Sequence, residues 1–450
     1  MPYPSYPNYI ESNIEWFGSV PSDWNKLRLK WTVTTCKNGV WGAEPDGEND
    51  IYCIRVADFE RVALNVSDKN LTVRAVAMKD RKGRLLQKGD LLLEKSGGGE
   101  SQLVGAVSLF DLEVGAVCSN FVALMQCDTD HDSRYLNYLH SHLYSCRVNY
   151  RSIKQSTGIQ NLDSLQYLNE FVFLPDIKIQ TAIVKFLDLK TRQIDQLIEK
   201  KKALIEKLDE QRIAVITQAV TKGVDKNAKM KPSGVDWLGD IPEHWVVNRL
   251  KFVGKAIIGL TYSPSDVCSE SSGILVLRSS NIQNGKMVNN DNTYVSTDVV
   301  EKLITKADDI LICSRNGSRE LIGKNARVED DFIGVTFGAF TTVFRSQINS
   351  FLFYVFNSSL FKFQSGRYLT STINQLTIGA INTFEVPIPP DEERAQIISF
   401  LSDKLDKNER AVSLNKRLIE KLQEYRSSLI ANAVTGKIDV RDIPAKKGSI

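Results

Sequence analysis

The chain has 450 residues, a formal net charge of +3, 42% hydrophobic and 25% charged residues. That length exceeds one ordinary core and sets an expectation of two domains, while the lack of any uninterrupted apolar run of about 18 residues excludes a membrane-spanning role. The opening MPYPSYPNYIESNIEW has no basic region followed by an apolar one, so it is not a secretory signal and a cytoplasmic protein is expected; near-neutral charge does not by itself point to nucleic acid.

The first element is a short lead-in. Residues 16–30 read WFGSVPSDWNKLRLK, and Trp16, Gly18, Pro21, Trp24, Arg28, Leu29 and Lys30 recur 221 positions later as Trp237, Gly239, Pro242, Trp245, Arg249, Leu250 and Lys251. The four tryptophans, each placed just ahead of a β-rich stretch, point to packing: they pin that stretch to the end of a helix. No helix precedes the first copy, so it should meet the end of the last helix, near Thr435. Next come IYCIRVADF, LLQKGDLLLEKSGGGE, VGAVSLF and CSNFVALMQC, short β-rich runs separated by polar turns. KDRKGR, from Lys79 to Arg84, is a phosphate patch or simply exposed surface. KSGGGES, from Lys95 to Ser101, lacks the third glycine of a dinucleotide fingerprint and reads as a hairpin tip.

From Gln180 to Val220 there is no Pro or Gly, and apolar residues from Ile183 to Ala219 recur at three- and four-residue spacing, which predicts one long amphipathic helix. Arg394 to Val434 reads the same way. Prolines precede both (Pro175; Pro387, Pro389 and Pro390), and TKG or TG ends them. Residues 204–225 and 418–439 share twelve of twenty-two positions at an offset of 214. Each helix would span about 60 Å, and its apolar stripe finds an equal partner in the other copy if a pseudo-two-fold axis sets the two antiparallel. One heptad position then runs Leu187, Ile194, Lys201, Leu208, Val215 in the first and Leu401, Asn408, Asn415, Leu422, Leu429 in the second. Lys201 and Asn415 would share a central polar layer, or Lys201 would reach for water. Ile198, Ile205, Val412 and Ile419 broaden the stripe, and either pack on the chain's own domains or offer a face to a partner's helices.

After the second lead-in, GILVLRSSNI, LITKADDILICSRNGSRE, LIGKNARV and FGAFTTVFR answer the first set in order, pairing Arg55 with Arg278, Asp58 with Asn281, Asp90 with Asp309 and Gly105 with Gly323. The expected fold class is therefore α/β (α+β): two repeated domains with curved β-sheets, separated by two long helices in an antiparallel coiled coil. The expected segments are 1–175, 176–230, 231–389 and 390–450. Seven cysteines without a CxxC pair and four scattered histidines read as reduced thiols with no metal site. GSRELIGKN, from Gly317, misses the P-loop spacing, and GxSxG, HExxH and Asn-Pro-Pro-aromatic segments are absent, so no catalytic residue is expected.

SGVDWLGDIPEHWVVNRLK, a variable stretch, PPDEERAQIISFL and a helix closing in LIANAVTGKIDV, in that order, resemble the specificity subunit of type I restriction-modification systems. The resemblance covers essentially the whole chain in both copies. The first copy departs from the pattern, with WFGSVPSDW in the lead-in, AVTKGVD at the helix end, and DIKIQTAIVKFL where the family has a Pro-x-x-Glu-Gln start. The resemblance implies two target recognition domains, each reading half of a split site in double-stranded DNA, with the two helices as spacer. It also implies docking of methyltransferase subunits, usually two, and of restriction subunits, two by expectation. S-adenosylmethionine, ATP and Mg would belong to those partners and no cofactor to this chain.

Base reading calls for amide, hydroxyl and guanidinium groups on hairpin tips. The candidates are Lys95, Ser96, Gly97, Gly98, Arg151, Lys154 and Gln155 in the first domain. In the second they are Arg278, Ser279, Asn281, Ser314, Arg315, Asn316, Ser318, Arg319, Gln364 and Arg367. Ile198, Ile205, Val412 and Ile419 are the candidate partner-binding residues. The alternative is a non-catalytic coiled-coil scaffold with two β-rich protein-binding domains.

Overall fold

The computed structural model describes residues 3–99, 102–156, 158–368 and 374–443. It divides into two compact units, one made of residues 1–200 with 417–450 and the other of residues 201–416. Both boundaries fall inside long helices, which run from Ile177–Lys222 and Asp391–Val434. Each helix is followed by a glycine in the left-handed conformation, Gly223 and Gly436, both at φ 72°, where a residue with a Cβ would be strained.

In the first unit a six-stranded sheet carries, in order, Val33–Asn38, Val122–Cys127, Leu91–Glu94, Val107–Leu109, Asn65–Val66 and Phe59–Glu60. The uninterrupted apolar run Leu91–Leu93 is buried throughout, as expected of a central strand covered on both faces. Helix Ser133–Ser145 packs on this sheet, started by Asp132, whose carboxylate accepts from the Arg134 and Tyr135 amides. A second sheet pairs Asp50–Ile54 in parallel with Ala116–Cys118 and antiparallel with Thr72–Ala75. The unit's main core takes in the start of the first long helix (Ile183, Leu187, Ile194, Ile198) and the end of the second (Leu429, Ile430, Ala433, Val434). Arg426 Nε donates to Asp195 Oδ1 at 2.9 Å within it.

The second unit has a four-stranded sheet of Lys255–Ile258, Thr341–Arg345, Ile310–Cys313 and Asn325–Arg327, and a second sheet in which Ile274–Leu277 runs parallel to Thr336–Phe337. Its core holds an aromatic chain, Phe344, Phe356, Phe361 and Phe384, with ring centroids 4.8–5.5 Å apart. Here the end of the first long helix (Ile216, Ala219, Val220) joins the start of the second (Ile397, Leu401). Asn408 Nδ2 donates to the Leu208 carbonyl at 2.9 Å, and Asn415 Nδ2 to Ala411 of its own helix. In this unit Asn408 makes a polar contact across the helix pair, while the Asn415 amide donates within its own helix.

The residues paired from sequence adopt matching local forms. The Asp58 carboxylate accepts from the Arg55 amide at 2.7 Å, and the Asn281 amide oxygen from the Arg278 amide at 2.9 Å, each closing a short 3-10 turn after a buried strand. Asp90 and Asp309 accept from the Gln87 and Lys306 amides at 2.7 and 2.8 Å. Gly105 and Gly323 both have positive φ, 105° and 84°.

The lead-ins are joints. Asn25–Arg28 pairs antiparallel with Phe171–Leu174, the strand before the first long helix, and Val246–Arg249 with Glu385–Ile388, the strand before the second. Trp245 is fully buried against Gly223, with its Nε1 donating to Glu393 Oε2 at 2.8 Å. Trp24 packs in the same way on Gly436, the Tyr9 hydroxyl donates to the Gly436 carbonyl, and the Asp439 amide to the Pro4 carbonyl. The expected meeting of the first lead-in with the final helix end is therefore present. One difference comes from sequence: Ile179 stands 214 positions before Glu393, and among the described residues the buried Trp24 Nε1 has no hydrogen-bond partner.

Buried His140 gives the first unit an acid-sensitive point. Its Nδ1 lies 2.8 Å from the Tyr167 hydroxyl, and burial lowers its pKa to about 4. The unfolded chain, with an imidazole near 6.5, therefore binds more protons than the folded one below that pH, and stability falls between about pH 6.5 and pH 4. The loss expected by pH 5 is about 2 kcal/mol. Comparing urea midpoints at pH 7 and pH 5 in wild type and His140→Gln checks it; an equal acid loss in both would rule it out.

Candidate nucleic-acid interface

In each unit one turn joins the parallel-paired strand to the long central strand, and both turns have the same build. In the first, Val122 N donates to Ser119 O; in the second, Thr341 N donates to Gly338 O. The third residue of the turn is Phe121 in one and Phe340 in the other. Two amides from the neighbouring segment fix each phenylalanine's carbonyl: Lys95 and Ser96 at 2.8 and 3.3 Å, and Ser314 and Arg315 both at 3.0 Å. Gly39 and Gly259 lie so close behind the turns that a Cβ would come within 2.5 Å of backbone atoms. The rings on these clamped backbones stand 50% and 60% exposed.

A pocket opens beside each ring. The first, about 520 Å³, is lined by Trp41, Arg55, Ser96, Gly98, Phe121 and Ile159 among others. The second, about 460 Å³, is lined by Tyr262, Arg278, Ser279, Ala339 and Phe340 among others. The arginines that come after the strands are engaged: Arg55 pairs with Asp58 at 2.8 Å and Arg278 with Asp291 at 2.7 Å. Arg315 is exposed, and its guanidinium lies over the Phe340 ring at 5.1 Å. Behind the first turn, buried Glu94 accepts from Arg61 at 2.8 Å, and burial still pushes its carboxyl up.

The family model for the type I restriction modification DNA specificity domain matches residues 242–424. The chain is also 23% identical over 440 residues to the type I restriction enzyme MjaVIII specificity subunit of Methanocaldococcus jannaschii, covering 94% of this chain and 95% of that one. To the EcoKI specificity subunit of Escherichia coli K12 it is 28% identical over 207 residues, 44% of each chain. Residues 242–424 thus match the type I DNA specificity domain, and the chain as a whole is similar in sequence to type I specificity subunits. Among solved structures, a chain from a type I R-M system assembly matches with TM-score 0.70 at 12% identity, over 92% of this chain and 98% of that one. The HsdS subunit of Thermoanaerobacter tengcongensis matches with TM-score 0.51 at 14% identity, over 93% and 98%. These likenesses are of fold.

On this scaffold the candidate residues separate into groups. Ser96 and Gly97 form a strand paired with Ile159–Leu162, which pairs in turn with Ile153–Ser156, so Lys154 and Gln155 share one small sheet with them. Gly98 comes next, on the pocket wall. Lys95 Nζ donates to Asn38 Oδ1, and Lys154 pairs with Asp163. Arg151 lies elsewhere: its guanidinium stacks on Trp16 at 5.1 Å and pairs with Glu15, which makes it part of the lead-in joint.

In the second unit Arg278, Ser279, Arg315 and Asn316 come together, with Asn316 Nδ2 donating to Ser279 Oγ at 3.3 Å. Ser318, Arg319 and Arg367 are exposed. Three candidates are corrected by burial. Asn281 is fully buried, and its amide donates to Val288 O, Asn290 O and Asn292 Oδ1, holding a turn together. Ser314 Oγ donates to the Phe340 carbonyl, and Gln364 forms a two-way amide pair with the Glu385 backbone. Their polar groups are engaged inside the fold and are not presented to a base edge.

Of the helix residues, Ile198 is buried in the first unit's core and Ile419 packs against it, so Ile198 cannot be a docking residue; Ile205 and Val412 are half-buried. The exposed apolar residues on the helices include Leu204 and Leu418, at equivalent repeat positions and 40% and 38% exposed. Among the described residues no helix is long and apolar enough to cross a membrane.

Proposed function

We propose that this chain is the non-catalytic DNA-reading subunit of a type I restriction-modification complex in the cytoplasm, each unit's β-rich domain reading one half of a bipartite site in double-stranded DNA. The observation that carries this reading is the repeated turn with its clamped backbone and exposed ring, found once in each unit and, in the second, inside the matched DNA specificity domain. The two long helices act as an antiparallel spacer. Support comes from each unit's core, which joins the start of one helix to the end of the other. Two methyltransferase subunits dock on the helical region and two restriction subunits complete the complex. S-adenosylmethionine serves the former, ATP and Mg the latter, and this chain contributes binding and geometry alone.

Methylated-adenine sequencing of cells that co-express the chain with its methyltransferase tests the proposal. The expected motif has two defined halves about one helical turn apart, on the order of 10 base pairs centre to centre. The purified complex should hold DNA less tightly as salt rises. Inserting a few residues between Lys190 and Lys202 should change the gap and leave both halves intact. A complex without DNA affinity at any salt would replace this reading with the protein-binding scaffold.

A further inference from the structure

We propose that Phe121 and Phe340 mark the base-discriminating point of each domain: Phe340 holds Arg315 in position for a guanine, and Phe121, with Trp41 and Ile159, receives a thymine methyl. The inference rests on the DNA-reading function and adds to it the residues and the kind of base each one takes.

The physical case begins with exposure. A phenylalanine half out of water forgoes about half of the roughly 1.5–3 kcal/mol that full burial of its side chain is worth. Single exposed apolar residues are common on protein surfaces. These two differ because each occupies the third place of the same turn, with its carbonyl fixed by two amides from the adjacent segment. The same hydrogen-bonded backbone thus carries an exposed ring in each unit, on a turn whose other residues differ between units (Ser119 and Asn120 in one, Gly338 and Ala339 in the other).

The surroundings of the rings then separate the two domains. In the second, the guanidinium of Arg315 lies over the Phe340 ring, 5.1 Å from its centroid, and among the described residues it has no carboxylate partner. Stacking of this kind orders the fork while leaving its N–H groups directed outward, and an ordered arginine fork matches the O6 and N7 acceptors of guanine in the major groove. The neighbouring Arg278 cannot do this, because Asp291 holds it.

In the first domain the residue answering Arg315 is Ser96, whose Oγ is 2.6 Å from Asn161 Oδ1, and the guanidinium of Arg55 is held by Asp58. What the pocket offers there is apolar: Trp41, Phe121 and Ile159, 37%, 50% and 52% exposed. The apolar group that a base pair presents in the major groove is the thymine methyl. An interaction with a peptide would also use such rings, but a guanidinium with no carboxylate partner among the described residues favours a ligand rich in acceptors.

Motif mapping with the co-expressed methyltransferase tests the assignment, using Arg315→Lys, Phe340→Leu and Phe121→Ala. All three positions are exposed, and yield of the assembled complex serves as the folding control. Arg315→Lys keeps the charge and loses the fork; it should lower the preference for guanine at one position of one half-site roughly 10- to 100-fold. Phe340→Leu should relax the same position. Phe121→Ala should relax a thymine in the other half-site by roughly fourfold, the worth of one buried methyl. An unchanged motif in Arg315→Lys and Phe121→Ala complexes overturns the proposal, as does a wild-type half-site without guanine. Loss of assembly in Phe121→Ala would make the ring structural and overturn its part. Wild-type complex that methylates without sequence preference overturns the DNA-reading function itself.

Discussion

Replacing Trp245 with alanine is expected to destabilise the second unit by about 3–5 kcal/mol, the range for deleting a fully buried aromatic side chain. The ring is 0% exposed, lies against Gly223 at the end of one long helix, and donates its indole N–H to Glu393 in the first turn of the other. Truncation would leave a cavity where three elements meet: the lead-in and both helices. Trp245→Phe separates packing from polarity, since most of the volume is retained and Glu393 keeps the 2.6 Å contact with His244 Nε2; about 1 kcal/mol should be lost. Hydrogen exchange of the amides around 216–224 with a urea titration would measure both. A cost below about 1 kcal/mol for the alanine variant would show that the indole is not what fastens this joint.

Severing Arg345 from Asp309 should be comparably costly. Asp309 is 1% exposed, and Arg345 donates to it from Nε at 2.8 Å and Nη2 at 2.6 Å while also donating to the Ile304 carbonyl. The carboxylate in turn raises the guanidinium's pKa, through the hydrogen bonds between them first. Arg345→Met would leave a buried carboxylate with the Lys306 amide as its remaining partner, at a cost of about 3–5 kcal/mol. Removing both charges, as Arg345→Met with Asp309→Leu, should recover much of that, because the desolvation of the carboxylate disappears with it. A double-mutant cycle read by thermal or urea unfolding gives the coupling, and additive single-variant effects would refute it. The pair matters for the candidate interface because strand Thr341–Arg345 begins immediately after Phe340.

The frame of this molecule is plain in its sequence. Helices expected from Gln180 to Val220 and from Arg394 to Val434 run from Ile177–Lys222 and Asp391–Val434, because apolar periodicity between prolines and a terminal glycine is a strong local signal. The pairs Asp58 with Asn281 and Asp90 with Asp309 are legible because their backbone-directed hydrogen bonds depend on residue type at fixed spacing. The site is harder. Asn281, Ser314 and Gln364 have the chemistry of base readers, but residue type does not say whether an amide faces water or a buried carbonyl, and the long-range pairing that decides it is invisible in short segments. Phe121 and Phe340 escape a sequence reading for the opposite reason, since a phenylalanine beside a strand reads as core. The available signal is positional: CSNFVAL and FGAFTTV place the ring between two apolar runs, in a turn.

The two units also differ in how their chain segments are ordered. Residues 201–416 are one continuous stretch, so a ribosome delivers the whole second unit before it reaches residue 417. The first unit's core contains Leu429, Ile430, Ala433 and Val434, separated from its other strands and helices by more than 200 residues. Its N-terminal part, though synthesised first, must wait with an open apolar flank until the last helix emerges, and closing that long loop carries an entropic cost that the second unit does not share. The half that is made first is therefore the half that finishes folding last.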